Sequence, residues 1–148
     1  VPVFNGEEVL AEFHRRLTGV MTALGEAWEV IYVNDGSTDA SASWLDQLAR
    51  AESHVVFIDL SRNFGKEIAM TAGLDHAEGD AVVVIDADLQ DPPELISEFV
   101  REWRVSGADV VYGKRRSRGG ANSWRCSALN AIAWTRCAAA ACRRCSGV

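Results

Sequence analysis

Asp86 and Asp88 stand two positions apart, directly after an apolar run, so on an extended strand end both carboxylates project to the same side. Two such groups can share one hard divalent cation, Mg²⁺ or Mn²⁺, which takes oxygen ligands and keeps other positions for water and phosphate oxygens. The chemistry suited to that ion is neutralising a diphosphate as it departs. A plainer reading is that acids simply punctuate strand ends. Asp35, in Asn34-Asp35-Gly36-Ser37, can accept hydrogen bonds from the N–H groups of a nucleotide base, although Asp-Gly is also ordinary turn chemistry. Arg62, Lys66 and Arg115 supply the positive charge that phosphate binding requires, and an arginine can grip two oxygens at once. For each of the three the plain alternative is a solvated surface role.

These residues work together only if the chain brings them to one place, and the hydrophobic pattern indicates how. An apolar start at residues 1–4 precedes a helix marked by Leu10, Phe13, Leu17, Val20 and Leu24, with Asn5 and Glu8 spaced as a capping box. A β-rich run at 29–33 stops at the Asn34–Thr38 turn, and Trp44, Leu45, Leu48 and Ala49 mark the next helix. The unit repeats as a strand over 55–60, a loop over 61–66 and a helix carrying Ile68, Ala69, Ala72 and Ala77. It repeats again as a strand over 81–85, a loop over 86–93 and a helix carrying Leu95, Ile96, Phe99 and Trp103, before a fifth strand at 109–112. Strands alternating with helices imply an α/β fold, a mostly parallel sheet with helices on both faces. Ligands of such sheets sit at the carboxyl ends of the strands, where every unusual polar cluster of this chain falls.

Composition sets further bounds. At 148 residues the chain suits one domain with a real core. The net charge of −6 hides a division: residues 1–113 hold all 21 acids, while residues 114–148 hold no acid, eight basic residues and all four cysteines. A domain over 1–115 and a basic, Cys- and Ala-rich tail over 116–148 are therefore expected. The tail reads either as a juxtamembrane segment suited to anionic lipid or as sequence foreign to the domain, and its composition favours the second. The chain itself reads as a piece of a longer protein, incomplete at both ends. No apolar stretch reaches the ~20 residues of a membrane-spanning helix. There is no G-x-G-x-x-G after the first strand, and Gly65-Lys66-Glu67 lacks the rest of a P-loop. His14, His54 and His76 are scattered, which suits packing or surface roles. Cys142 and Cys145 form one C-x-x-C that Cys126 and Cys137 do not match with a second, so zinc is not expected there. A phosphorylated receiver domain would need a lone Asp after the third strand, where Leu60-Ser61 stands.

Pro2-Val3-Phe4-Asn5, the run from Val33 to Asp39, Leu60 through Glu67, Asp86 through Leu95, and Val110 through Arg115 together resemble family 2 glycosyltransferases of the GT-A (Rossmann-like) fold. Within that family they are most similar to the polyprenyl-phosphate sugar transferases, dolichol-phosphate mannosyltransferase and the bactoprenol glucosyltransferase group. The resemblance implies a nucleotide pocket lined by Pro2, Phe4 and Asp35, with Arg62 near the donor and Asp86 and Asp88 holding the metal. Gln90 would lie beside the sugar, and Arg115 on the diphosphate. Phe4 stands where the family usually has Tyr, and Gly6 where it has an acid, for which Glu7 would compensate. A UDP- or GDP-sugar donor and a polyprenyl phosphate acceptor follow as expected partners, with the full-length parent at the cytoplasmic face of the membrane. Nucleic acid is not an expected partner, and homo-oligomerisation stays open. The acceptor's anionic oxygen needs no protein base, so direct attack at the anomeric carbon with inversion is expected. A family 2 transferase to a hydroxyl acceptor and an inactive nucleotide-binding fragment remain the alternatives.

Overall fold

A computed structural model describes residues 1–115 and 124–129, with side chains through residue 113. The chain divides into two compact units, Val1–Pro93 and Glu94–Val148.

In the first unit, β1 (Pro2–Val3), β2 (Val30–Asn34) and β3 (Val55–Asp59) form a parallel sheet in that order, joined by the helices α1 (Glu7–Leu24) and α2 (Ser41–Ala51). Asn34 ends level with Val3 on one side and with Asp59 on the other, which brings three strand ends, and the loops that leave them, to one edge. Every residue of β2 is buried, because the strand is covered on both faces. Alternate residues of a strand face opposite ways. Tyr32 meets Phe13 of α1 edge-on, with ring centroids 6.4 Å apart. Ile31 and Val33 pack instead with Ala69 of α3 (Lys66–His76), beside Val56 and Ile58 of β3. Phe13, Tyr32 and Leu45 are wholly shielded from solvent, and each such burial is worth about 1.5–3 kcal/mol.

Two local expectations fail. Asn5 and Glu8 form no capping box: Gly6 occupies the cap of α1 without a side-chain hydrogen bond, and Asn5, at φ 49°, turns its Oδ1 to the Thr38 N–H instead. Capping the neighbouring loop satisfies that loop and leaves the first turn of α1 to Ser41, whose Oγ accepts the Gly6 N–H at 2.9 Å. The expected strand over residues 81–85 is not formed: the segment joins no ladder among the described residues. Val82 and Val84 are exposed there, and only Ile85 is buried.

The second unit comprises α4 (Leu95–Ser106), β4 (Val110–Arg115) and β5 (Trp124–Leu129), with β5 antiparallel to β4. Leu95 and Ile96 are its buried helical residues. The expected tail over 116–148 lies outside the described residues except for the β5 backbone, which sequence reasoning had not read as a strand.

Candidate functional site

The edge of the first unit is organised by one buried polar side chain. Asn34, last in β2, donates from Nδ2 to Asp59 Oδ1 at 2.7 Å and accepts the Ser37 N–H on its Oδ1 at 3.2 Å. One buried amide thus joins the end of β3 to the turn after β2. Asp35 follows, with Oδ1 accepting the Phe64 N–H at 2.7 Å and Oδ2 the Gly65 N–H at 3.0 Å. A charge-assisted bond on each oxygen draws the 61–66 loop over the turn. Only glycine permits that approach: a Cβ on Gly36, at φ 67°, would lie 2.3 Å from the Arg62 carbonyl carbon. Gly65, at φ 97° and ψ 155°, sits where L-residues are strained, and this aims its N–H at Asp35. The β1 loop is tied in by its own N–H groups, Asn5 to Ser37 Oγ at 2.9 Å and Gly6 to Ser41.

Between these loops lies a cleft of ≈ 380 Å³ lined by Pro2, Phe4, Asp35, Lys66, Asp86 and Asp88 among others, inside the range of about 300–1,000 Å³ typical of small-molecule sites. Phe4 is half-exposed at its wall, an apolar ring open to a planar partner. Asp86 Oδ2 meets the Lys66 ammonium at 2.5 Å. Asp88 Oδ1 accepts the Gln90 N–H at 2.9 Å, and the intervening Leu89 holds φ 60°, a conformation that costs an L-residue roughly 1–2 kcal/mol. The two carboxylates are oxygen ligands of the kind a hard divalent cation such as Mg²⁺ or Mn²⁺ takes, and the Lys66 ammonium holds the place of positive charge on one of them.

Of the residues singled out from sequence, Pro2, Phe4, Asp35, Lys66, Asp86 and Asp88 come together at this cleft. Glu7, Arg62 and Gln90 are not among its lining residues. The Glu7 carboxylate accepts the Ala40 N–H at 2.6 Å while its own N–H reaches Asp39 Oδ2, so it fastens α1 to the start of α2. Arg62 lies over the Phe64 ring, 4.7 Å from the centroid. Arg115 closes β4 in the second unit, and its side chain lies outside those described. Asn63 and Gly65, which also line the cleft, carried no separate role in the sequence reading, and Asn5, which lines it too, was expected only as a helix cap. The surplus of Asn and Gly at strand ends was their only signal.

The histidines are less scattered than their spacing suggests. His14 is buried on α1 and bonds through Nδ1 to Tyr32 Oη at 2.9 Å, while its Nε2 reaches Glu52 Oε2 at 3.2 Å. His54 Nε2 lies 3.0 Å from the same Glu52 oxygen. Burial, and then the Glu52 charge, pushes the Tyr32 hydroxyl well above its ordinary value.

Comparison with known proteins follows this geometry. The sequence pattern described as glycosyl transferase family 2 matches residues 1–142. The chain belongs to glycosyl transferase family 2. This family 2 chain is 50% identical over 120 residues to an uncharacterized glycosyltransferase of Synechocystis, covering 81% of this chain and 37% of that protein. It is 46% identical over 118 residues to the bactoprenol glucosyl transferase of Shigella phage SfV, covering 80% and 38%. The chain thus spans under two-fifths of the length of either relative. Among solved structures, a mannosyltransferase of Pyrobaculum calidifontis, determined with GDP-mannose and Mn²⁺, superposes with a TM-score of 0.54 at 23% identity, over 69% of this chain and 30% of that one. That likeness supports the fold, the GT-A arrangement of strands and helices.

Proposed function

We propose that this family 2 chain carries the donor site of a glycosyltransferase that moves one sugar from a nucleoside-diphosphate sugar to a polyprenyl phosphate. The observation that carries the proposal is the cleft itself: an exposed aromatic ring, a buried carboxylate and the two aspartates Asp86 and Asp88 converge beside the strand ends of a parallel sheet. The bactoprenol glucosyl transferase at 46% identity supports the acceptor class, and the Mn²⁺ and GDP-mannose bound by the P. calidifontis enzyme support a sugar nucleotide with a divalent ion.

In this reading Phe4 stacks on the base, with Pro2 beside it fixing the backbone that carries the ring. Asp35 has one acceptor direction left on each oxygen after bonding Phe64 and Gly65, enough to take an N–H of the base. Asp86 and Asp88 would hold Mg²⁺ or Mn²⁺, which supplies charge neutralisation to the departing diphosphate. Lys66 is released from Asp86 and turns its ammonium to a phosphate oxygen. The acceptor phosphate oxygen is already a nucleophile, so the residues need only hold it in line with the leaving group. That geometry gives inversion at the anomeric carbon.

Calorimetric titration with UDP and with GDP, each with and without Mn²⁺, tests this. One nucleotide should bind in a metal-dependent way and binding should be lost in Asp88→Ala. A folded chain that binds neither nucleotide in the presence of Mn²⁺ would overturn the donor site. Transfer of radiolabelled sugar by the full-length parent to undecaprenyl phosphate, and not to a free sugar hydroxyl, tests the acceptor.

A further inference from the structure

At the ends of the strands opposite to those that carry the cleft, three side chains from three elements point their donor atoms at one another. His14 comes from the middle of α1, Glu52 from the C-cap of α2 and His54 from the residue before β3. Their ligand atoms all lie within 4.8 Å of one another. Glu52 Oε2 stands 3.2 Å from His14 Nε2 and 3.0 Å from His54 Nε2. Ligands of a tetrahedral metal held by bonds of about 2.0–2.1 Å sit roughly 3.3 Å apart, so two of the three edges already have the spacing of a coordination shell.

Two further observations separate this cluster from an ordinary ion pair. His54 Nε2 is shielded from solvent yet makes no hydrogen bond, although the Glu52 oxygen is 3.0 Å away. The distance suits a bond and the alignment does not, which is how two ligands directed at a common third atom are arranged. A buried ring nitrogen without a partner is costly. The second observation lies behind His14, whose Nδ1 meets Tyr32 Oη at 2.9 Å. A partner on the far nitrogen fixes the ring and its tautomer, the support that metal-ligating imidazoles regularly have. The Trp28 ring, with its centroid 4.1 Å from that of His54, holds the second imidazole in place.

We infer that His14, Glu52 and His54 form a site for a borderline transition-metal ion, Zn²⁺, that clamps α1 and the end of α2 to the start of β3. Two imidazoles and one carboxylate are the ligand chemistry of Zn²⁺ rather than of Mg²⁺ or Ca²⁺. Three protein ligands leave the fourth position to water. The site is separate from the carboxylates of the cleft, which supply only oxygen.

The test uses the full chain, stripped of metal with chelator and with its four cysteines alkylated, so that the thiols offer no competing site. Zn²⁺ is titrated calorimetrically, and Co²⁺ is titrated as a spectroscopic probe in the visible range. The expected result is one equivalent of Zn²⁺, a Co²⁺ spectrum of four- or five-coordinate intensity, and a rise in the thermal midpoint on adding Zn²⁺. His54→Gln and Glu52→Gln, both partly exposed and tolerant of change, should each weaken Zn²⁺ binding at least 100-fold. Asp88→Asn should leave it unaltered. Binding that survives His54→Gln and Glu52→Gln at full stoichiometry overturns the site, as does a folded chain that takes up no Zn²⁺ at pH 7.5.

Discussion

Asp35 shows how one side chain can be structural and ligand-facing together. Its two oxygens hold the Phe64 and Gly65 N–H groups while the residue still borders the cleft. In Asp35→Asn one of those N–H groups would face an amide donor instead of an acceptor. A buried donor left unpaired costs about 1–3 kcal/mol, so urea unfolding should show a loss of that size with the slope unchanged. Tyr32 offers a second case, in pH. In the unfolded chain the phenol ionises near 10.0, whereas in the folded chain burial and the nearby Glu52 hold it protonated above that value. The folded state therefore keeps a proton that the unfolded state loses. This contribution is fully present below pH 10 and is lost progressively as pH rises beyond it. Tyr32→Phe should remove that part of the alkaline slope, read as thermal midpoints between pH 8 and pH 11. Sequence could reveal the carboxylates of the cleft, because a strand-end Asp is visible in one dimension. It could not reveal the group around Glu52, since His14 and His54 are brought together only by the crossing of α1 behind β2.

At the scale of elements, the turn after β2 and the loop after β3 behave as one piece. Gly36→Ala would drive a methyl group into the Arg62 and Asn63 backbone, which has no rotamer to yield. The expected loss is about 4 kcal/mol or more, at the severe end of single substitutions, accompanied by loss of nucleotide binding. Gly19 is the control: an added Cβ there meets nothing within 4 Å. In the interior of α1, Gly19→Ala should stabilise by about 0.5–1 kcal/mol. Thermal melts of the two variants should therefore move in opposite directions. The pattern of apolar residues located α1, α2 and α3 and placed β2 and β3 within a residue, because each buries a face of fixed period. It failed at residues 81–85, where an apolar run signals a capacity to pair and the ladder depends on a neighbour long enough to accept it. It missed β5, although Trp124, Cys126 and Ala128 alternate there with Arg125 and Ser127.

For the whole molecule, charge is the decisive quantity. Residues 1–113 carry 21 acids, so a diphosphate approaches a body of its own sign, and long-range attraction cannot account for binding. Local cations must. Removing divalent metal with chelator should therefore weaken nucleotide binding at least tenfold, and restoring Mn²⁺ should recover it, as measured by calorimetry. The family was legible because its residues fall at the ends of successive strands, an order that survives in one dimension. The contact between Lys66 and Asp86 was not, since twenty residues of helix and loop separate them. That contact has one further consequence. Lys66 already serves Asp86 as its counter-ion, so on the proposed reading Mn²⁺ would have to displace the ammonium. Lys66→Met should then raise the affinity for Mn²⁺ alone while lowering the affinity for nucleotide with Mn²⁺. Opposite signs from one substitution would mark a lysine that serves the carboxylate and the phosphate in turn, keeping the cleft near electroneutral at each stage of occupancy.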